Sequence, residues 1–344
     1  MIYPFMRRVF LMVALLACGI EFAKAQQLPP VEPPQAMPNG QSGGPSLRVT
    51  TNEVLVPVLV EKPHGGGIMY GLKPADFVVE DNGVPQKIRV QEEMDTAPVS
   101  LVIALEEGRM GVLEFDKLAK LGPLLEFFLT DAKSEAALVG FDSKPRLIRD
   151  FTNSQESLSD GLQHLEPGDG GAAILDTVGY AVDLLESQPK EYRRVLLLVS
   201  EERDHGSKHT KPAQLIRKIG RSDVLVLSVS FSPSRAAVLH DLKSPADEQV
   251  TNMISSLMTL VQAFKKNVAK EVATMSGGEY TTFTFDKKFE ERVLGAAKDA
   301  RNRYLITFSP SDPSPGLHSI RVHTKEDFGA RIVARANYWL QQEP

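Results

Sequence analysis

Val99-Ser100-Leu101-Val102-Ile103-Ala104-Leu105 is a short, almost unbroken apolar run that stops at Glu106-Glu107-Gly108. A strand with one wet face alternates apolar and polar residues, whereas one covered on both faces has no reason to. The run therefore predicts a central strand of a parallel sheet with helices above and below. Downstream, helix-length and strand-length segments follow it: a helix over 113–132, strands at 136–141 and 145–149, helices at 154–165 and 172–187. A strand at 194–200, a helix at 212–221 and a strand at 223–230 continue the series. The stretch 233–277 reads as mostly helical with a charged loop at 243–248, and a strand at 279–283 and a helix at 286–302 close it. Strands separated by helices specify a three-layer, doubly wound α/β fold with a mostly parallel, Rossmann-like sheet over 98–302. Phe127, Phe128, Met253 and Met258 lie at core-like spacings and read as packing residues.

On either side the pattern changes to period two. LRVTTNEVLVPVLVEK, DFVVED and QKIRVQEE lie within 47–97, with Asp81-Asn82-Gly83 as a tight-turn signal between two of them. Three more strand-like runs, 303–309, 318–325 and 330–338, occupy 303–340. Neither fragment has enough strands to be stable alone. The economical arrangement pairs them into one β-sandwich with the α/β body inserted between them.

The first 46 residues read differently again. Arg7 and Arg8 precede an apolar stretch from Val9 to Ile20, and Ala23-Lys24-Ala25 offers small residues at a cleavage site before Gln26. This predicts a signal peptide over 1–25 and a secreted or periplasmic protein with no transmembrane span in the mature chain, since the apolar run is too short to cross a bilayer. Leu15-Leu16-Ala17-Cys18-Gly19 resembles a lipobox, so lipidation at Cys18 is the alternative. Residues 26–46, dense in Pro, Gly and Gln, are a disordered tether.

Composition removes several function classes. Cys18 is the only cysteine, which excludes an intramolecular disulfide and a thiolate zinc site. The net charge of −5, without a Lys/Arg-dense stretch, argues against nucleic acid. No Gly-x-Ser-x-Gly, His-Glu-x-x-His or phosphate-loop signature is present. Asp204-His205-Gly206-Ser207-Lys208-His209 has a metal-like histidine spacing, but Gly206 and Lys208 make it an exposed loop. Gly168-Asp169-Gly170-Gly171 before a helix is a weak anion-cradle signal, read more simply as a turn over the sheet edge.

The segments SLVIALEEGRM, GGAAILDTVGYAV, RVLLLVSEERDHGS and EVATMSGGEYTTF, in that order, resemble the von Willebrand factor type A domain. The flanks LKPADFVVEDNGVPQKI and YLITFSPSDPSPGLHSIRVHTK resemble a bacterial, acidobacterial-type group related to that domain. The resemblance implies a ligand-binding edge where a divalent cation is held by an Asp-x-Ser-x-Ser loop, a Thr and an Asp. In this chain those positions hold Leu105, Glu107 and Arg109, then Ala172, then Glu201. Leucine and alanine carry no side-chain oxygen, and an arginine repels a cation. The resemblance thus implies a degenerate metal site with no cofactor; a weak Mg or Ca site through Glu107 and Glu201 is the alternative.

Glu106, Glu107, Glu201, Glu202 and Asp204 are expected to gather at the ends of adjacent strands, an edge where open α/β sheets bind ligands. Arg109 is expected to replace the metal's charge by pairing with Glu107 or Glu201. The expected function is a non-catalytic, exported module that binds a protein partner in the cell envelope or outside the cell. Two alternatives stand: a metal-assisted hydrolase using the Glu201–His209 cluster, and a cation-dependent adhesin.

Overall fold

The computed structural model describes residues 53–63, 67–91, 97–108, 110–231, 257–283 and 286–341. The expectations placed on the signal peptide, the tether, Cys18, Arg109, Met253 and the 243–248 loop lie outside the described residues.

Strands β1 (Val54–Glu61), β2 (Phe77–Asp81), β3 (Val84–Pro85) and β4 (Ile88–Gln91) open the fold. Between β2 and β3 the chain turns on Asn82 and Gly83, both at positive φ (49° and 83°), the backbone that an Asn-Gly hairpin turn demands. Strand β5 (Val99–Glu106) is buried along its whole length, as its composition predicts. Then follow β6 (Glu135–Phe141), β7 (Pro145–Thr152), α1 (Gln155–Gln163), α2 (Ile174–Glu186), β8 (Arg193–Ser200), α3 (Pro212–Arg221) and β9 (Leu225–Phe231). Helices α4 (Leu257–Lys266) and α5 (Val268–Ser276), strand β10 (Tyr280–Phe283) and helix α6 (Asp286–Arg301) complete the α/β body. The chain ends with β11 (Tyr304–Phe308), β12 (Gly316–Thr324), β13 (Arg331–Ala334) and β14 (Asn337–Leu340).

The central sheet runs β10-β9-β8-β5-β6-β7. All its pairings are parallel except that of β7, which returns antiparallel to β6. Residue parity divides β5 between two cores. Leu101, Ile103 and Leu105 face Leu118, Leu121, Phe128, Leu158 and Val293. Val102 and Ala104 face Val178, Val182, Leu215, Phe264 and Val272. Helices on both faces of one sheet give the three layers that the sequence predicts.

Strands from the two ends of the chain pair with each other. One antiparallel sheet runs β13-β1-β11-β4 and another β14-β12-β2-β3. Val56, Val58 and Ile306 from the first share a core with Phe77, Val79 and Tyr338 from the second, which makes the pair a sandwich.

Three local expectations need correction. The continuous helix expected over 113–132 is instead a run of short turns, Gly111–Glu114, Phe115–Leu118, Leu121–Leu124 and Leu125–Phe127. Pro123 cannot donate an intrahelical hydrogen bond, and Gly122 favours other backbone states. Phe127 and Met258, expected in the core, are 55% and 70% exposed. Phe128 is the residue its turn drives inward, and on α4 the i, i+4 pair Leu260 and Phe264 forms the buried face, which leaves Met258 outside. The single strand expected at 330–338 is two, β13 and β14, lying in different sheets. Between them Arg335 is buried, and its guanidinium donates to the carbonyls of Ile219 (2.9 Å), Gly220 (2.6 Å) and Asn337 (2.9 Å). That anchorage to the end of α3 carries the chain across from one sheet to the other. Burial lowers the Arg335 pKa to about 10, so the side chain remains a cation at neutral pH.

Candidate functional site

Parallel strands β5, β8 and β9 all end at one edge of the sheet, and the sequence-predicted residues stand there. Leu105, the last odd-parity residue of β5, is fully buried in the core beneath α6 and Phe128, facing away from the edge acids. Glu106 faces the opposite way and is 1% exposed. Its Oε2 accepts the Glu201 N–H at 2.8 Å, which ties the end of β5 to the residue after β8. Oε1 has no hydrogen-bond partner. Burial, helped by the neighbouring Glu201 charge, pushes the Glu106 carboxyl up to about 8 against the lowering effect of its backbone donors. It is therefore a neutral acid at pH 7.

Glu107 is nearly buried and takes a different direction. Arg146 Nη2, on β7, donates to Glu107 Oε1 (2.8 Å) and Oε2 (3.1 Å). Burial raises the Glu107 pKa, and Arg146 opposes the rise. Gly140 sits opposite Arg146 in the β6–β7 register. A Cβ on Gly140 would lie 2.3 Å from Glu107 Oε2, so the pair occupies the space the missing side chain leaves.

Glu201 faces His205, with Oε1 3.2 Å from Nδ1. Burial raises its pKa, His205 lowers it and Glu202 raises it again. Glu202 accepts the Tyr280 hydroxyl at 3.0 Å, and its carbonyl accepts the Val268 N–H at the start of α5. Asp204 turns toward α2. Its Oδ1 accepts the Leu175 N–H (3.0 Å) and the Ser207 hydroxyl (2.5 Å), satisfying a free donor of that helix's first turn. Nearby, Asp176 accepts the backbone N–H groups of Lys208 (2.8 Å), His209 (3.2 Å) and Thr210 (2.5 Å). Burial alone would raise Asp176, but these donors outweigh it and hold the carboxyl below its ordinary value.

Ala172 belongs to the second loop. Its N–H and carbonyl exchange hydrogen bonds with His205 at 3.1 and 3.0 Å, closing that loop onto the third. Asp169 Oδ1 accepts from Ser143 and Gly171, which fastens the same loop to the β6–β7 turn. The glycine cluster is thus a loop anchored by its own aspartate. Gly108 touches it closely, since a Cβ there would come within 2.0 Å of the Gly171 carbonyl oxygen.

The five acids stand at neighbouring strand ends, but they are bonded to different partners, and Glu106 meets Glu201 through the latter's backbone N–H. Among the described residues, no three of His, Cys, Asp and Glu group so as to hold a metal. The two partners expected for Arg109 are engaged by other side chains, Arg146 for Glu107 and His205 for Glu201. Sequence reasoning did not single out Arg146; the register Gly140–Arg146 across the antiparallel β6–β7 pair is the signal that places it beside Glu107.

A six-stranded, mostly parallel sheet with helices on both faces and loops converging at its C-terminal edge defines a three-layer, doubly wound α/β domain. Residues 124–266 match the family model of the von Willebrand factor type A domain. The match begins downstream of β5 and its loop. No curated protein matches the chain.

Among solved structures, the chain is similar to proximal thread matrix protein 1 from the mussel byssus, at 13% identity and a TM-score of 0.43 over 70% of this chain and 51% of that one. A von Willebrand factor type A protein from Catenulispora acidiphila is 8% identical, with a TM-score of 0.44 over 86% of this chain and 76% of that one. An aerotolerance-related membrane protein from Bacteroides fragilis is 14% identical, with a TM-score of 0.39 over 58% of this chain and 98% of that one. This chain spans about half the length of the mussel protein.

Proposed function

We infer that this protein is a non-catalytic interaction module whose type A domain binds a protein partner at the C-terminal edge of its sheet without a metal ion. The observation that carries this reading is the way the edge acids are used. Glu107 is held by Arg146, Glu201 by His205, Glu202 by Tyr280 and Asp204 by the first turn of α2. A hard divalent cation wants several convergent oxygen ligands. Leu105 and Ala172 offer none, and the remaining carboxylates are taken up by other partners, so the side chains do not fit that ion. The same engagement weakens the hydrolase alternative, which needs two carboxylates free to reach one water. Among the described residues no helix is long and apolar enough to cross a membrane. Export through residues 1–25, followed by the 26–46 tether, is the placement the sequence supports, with the partner in the envelope or beyond it.

The test is capture of envelope and secreted proteins by the full chain, with Arg146→Ala and Glu201→Ala as variants, in EDTA and in added Mg or Ca. A partner retained in EDTA and lost on the variants supports the reading. Capture abolished by EDTA overturns metal independence, and capture indifferent to both variants overturns the edge as the docking surface.

A further inference from the structure

Charge is spread unevenly over the helices of the α/β body. On one face of the sheet α3, α4 and α5 pack against one another and turn Leu215, Phe264 and Val272 into a common core. Their outward positions carry Arg217, Arg221, Lys265, Lys266, Lys270 and Met258, and otherwise only Gln and Thr. Five of these ten exposed residues are cations and none is an acid, in a chain whose net charge is −5. No single segment of the sequence is dense in Lys and Arg, so it is the packing of three helices that assembles the basic face.

Neighbouring acids are withdrawn from this face or mark its border. Glu271, the one acid within the three helices, is half-buried, and burial raises its pKa against the pull of Lys270. Asp183 on α2 holds Lys218 at 2.5 Å, which ends the basic face at that helix. By contrast, every exposed charge on α1 and α2 is acidic: Glu156, Asp160, Asp183 and Glu186. The Arg217 guanidinium lies over the Trp339 ring at 5.1 Å, which braces it while it stays exposed.

Such a surface calls for an anionic partner, and its composition says of which kind. Protein interfaces centre on aromatic and apolar residues and are poor in lysine, whereas here Met258, 70% exposed, is the one large apolar side chain turned outward. A bilayer asks for less. Mobile phosphate headgroups gather beneath ammonium and guanidinium groups without a preformed pocket, and an apolar side chain among them enters the headgroup layer. Met258 has that place, since Gln262 and Lys265 follow it at i+4 and i+7 on the same side of α4. We propose that the α3–α4–α5 face docks on a membrane surface rich in anionic phosphate headgroups, with the five cations as headgroup contacts and Met258 entering the interface. The helices lie along the surface and do not span it. This docking is separate from the sheet edge and does not depend on a protein partner there.

Co-sedimentation of the full chain with vesicles of phosphatidylcholine alone, and with vesicles containing about one third phosphatidylglycerol, tests the proposal. Binding is expected to the anionic vesicles only, and to fall steeply between about 50 and about 500 mM salt as the charges are screened. Each basic side chain at an anionic surface strengthens binding about fivefold, so Lys265→Gln with Lys266→Gln is expected to weaken it about 25-fold. Met258→Ser should weaken it without altering the salt dependence. Lys288 and Lys298 are exposed on α6, which packs on the other face of the sheet. Changing both to Gln removes the same charge and is expected to cost less than about threefold. Equal losses from the two lysine pairs would overturn the proposal, because overall charge and not this face would then be binding. Wild type that fails to sediment with anionic vesicles at about 50 mM salt overturns it without any variant. So does retention on polyglutamate or on a DNA duplex without vesicle binding. The vesicles contain no protein, so these outcomes are independent of whether the sheet edge captures a partner.

Discussion

The Glu107 carboxylate receives a single guanidinium nitrogen of Arg146, at 2.8 and 3.1 Å, across the turn end of the β6–β7 pair. The acid is 4% exposed at its side chain while the arginine is half exposed, so the two ends of the bond are unequal. Losing the arginine strands a buried charge, whereas losing the acid only frees a surface cation. Arg146→Met is therefore expected to destabilise the protein by about 1–2 kcal/mol, the range for a charged hydrogen bond discounted for partial exposure. Adding Glu107→Gln should recover part of that loss, and urea unfolding of the single and double variants measures it. Equal midpoints for wild type and Arg146→Met would contradict the role given to the pair.

Gly140 offers the same pair a test by volume. A methyl there meets the Glu107 carboxylate at 2.3–2.7 Å, so Gly140→Ala is expected to cost about 1–3 kcal/mol by overpacking. It should also be non-additive with Arg146→Met, because both act through Glu107. Additive losses in a urea double-mutant cycle would place the cost of the methyl elsewhere.

The two substitutions touch what the sequence made legible and what it concealed. The almost unbroken apolar run Val99–Leu105 pointed to a strand covered on both faces, and the acids that follow it to the strand ends. Strand-like segments bracketing that body predicted a sandwich because neither set could stand alone. What stayed hidden was direction. Nothing near Asp204 in the chain says that its oxygen caps α2, since Leu175 N–H is brought to it by loop closure through the Ala172–His205 exchange. Nothing near Glu107 names Arg146, which arrives through strand register. An acidic cluster in sequence was thus a set of separate tethers in space. Arg335 is a similar case: nothing in the strand-like run 330–338 says that its guanidinium satisfies the carbonyls at the end of α3 and splits the run in two.

Asp176 is the strongest of those tethers, because three consecutive backbone N–H groups converge on its carboxylate. Asp176→Asn leaves one oxygen for three donors and turns an NH2 toward them. The expected cost at pH 7 is about 2–3 kcal/mol, from one or more unsatisfied buried donors. The folded pKa is lowered, so the wild-type advantage is present above the unfolded value of about 3.9 and fades as pH falls through the folded value. Urea midpoints of the two proteins should converge in acid and separate near neutrality. A constant gap between them would show that the loss is not ionic.

Inside the sandwich, Asp81 is the acceptor that His318 and Tyr338 share. His318 Nδ1 lies 3.0 Å from Asp81 Oδ1, and the Tyr338 hydroxyl donates to Oδ2 at 2.9 Å; all three residues are buried. Tyr338 also packs edge-on against Phe308, with ring centroids 5.9 Å apart. Tyr338→Phe removes one donor and keeps that ring contact, so it is expected to cost about 1 kcal/mol. Asp81→Ala removes the shared acceptor and leaves a buried hydroxyl and a buried imidazole without it. Its cost should be at least twice that of the tyrosine change, because a stranded polar group loses its full solvation. Amide hydrogen exchange along β2, β12 and β14 distinguishes the two, with faster exchange in all three strands for Asp81→Ala and only a local change for Tyr338→Phe. If the two variants were equally stable, the network would be a set of independent pairs and the acceptor at its centre would carry no special weight.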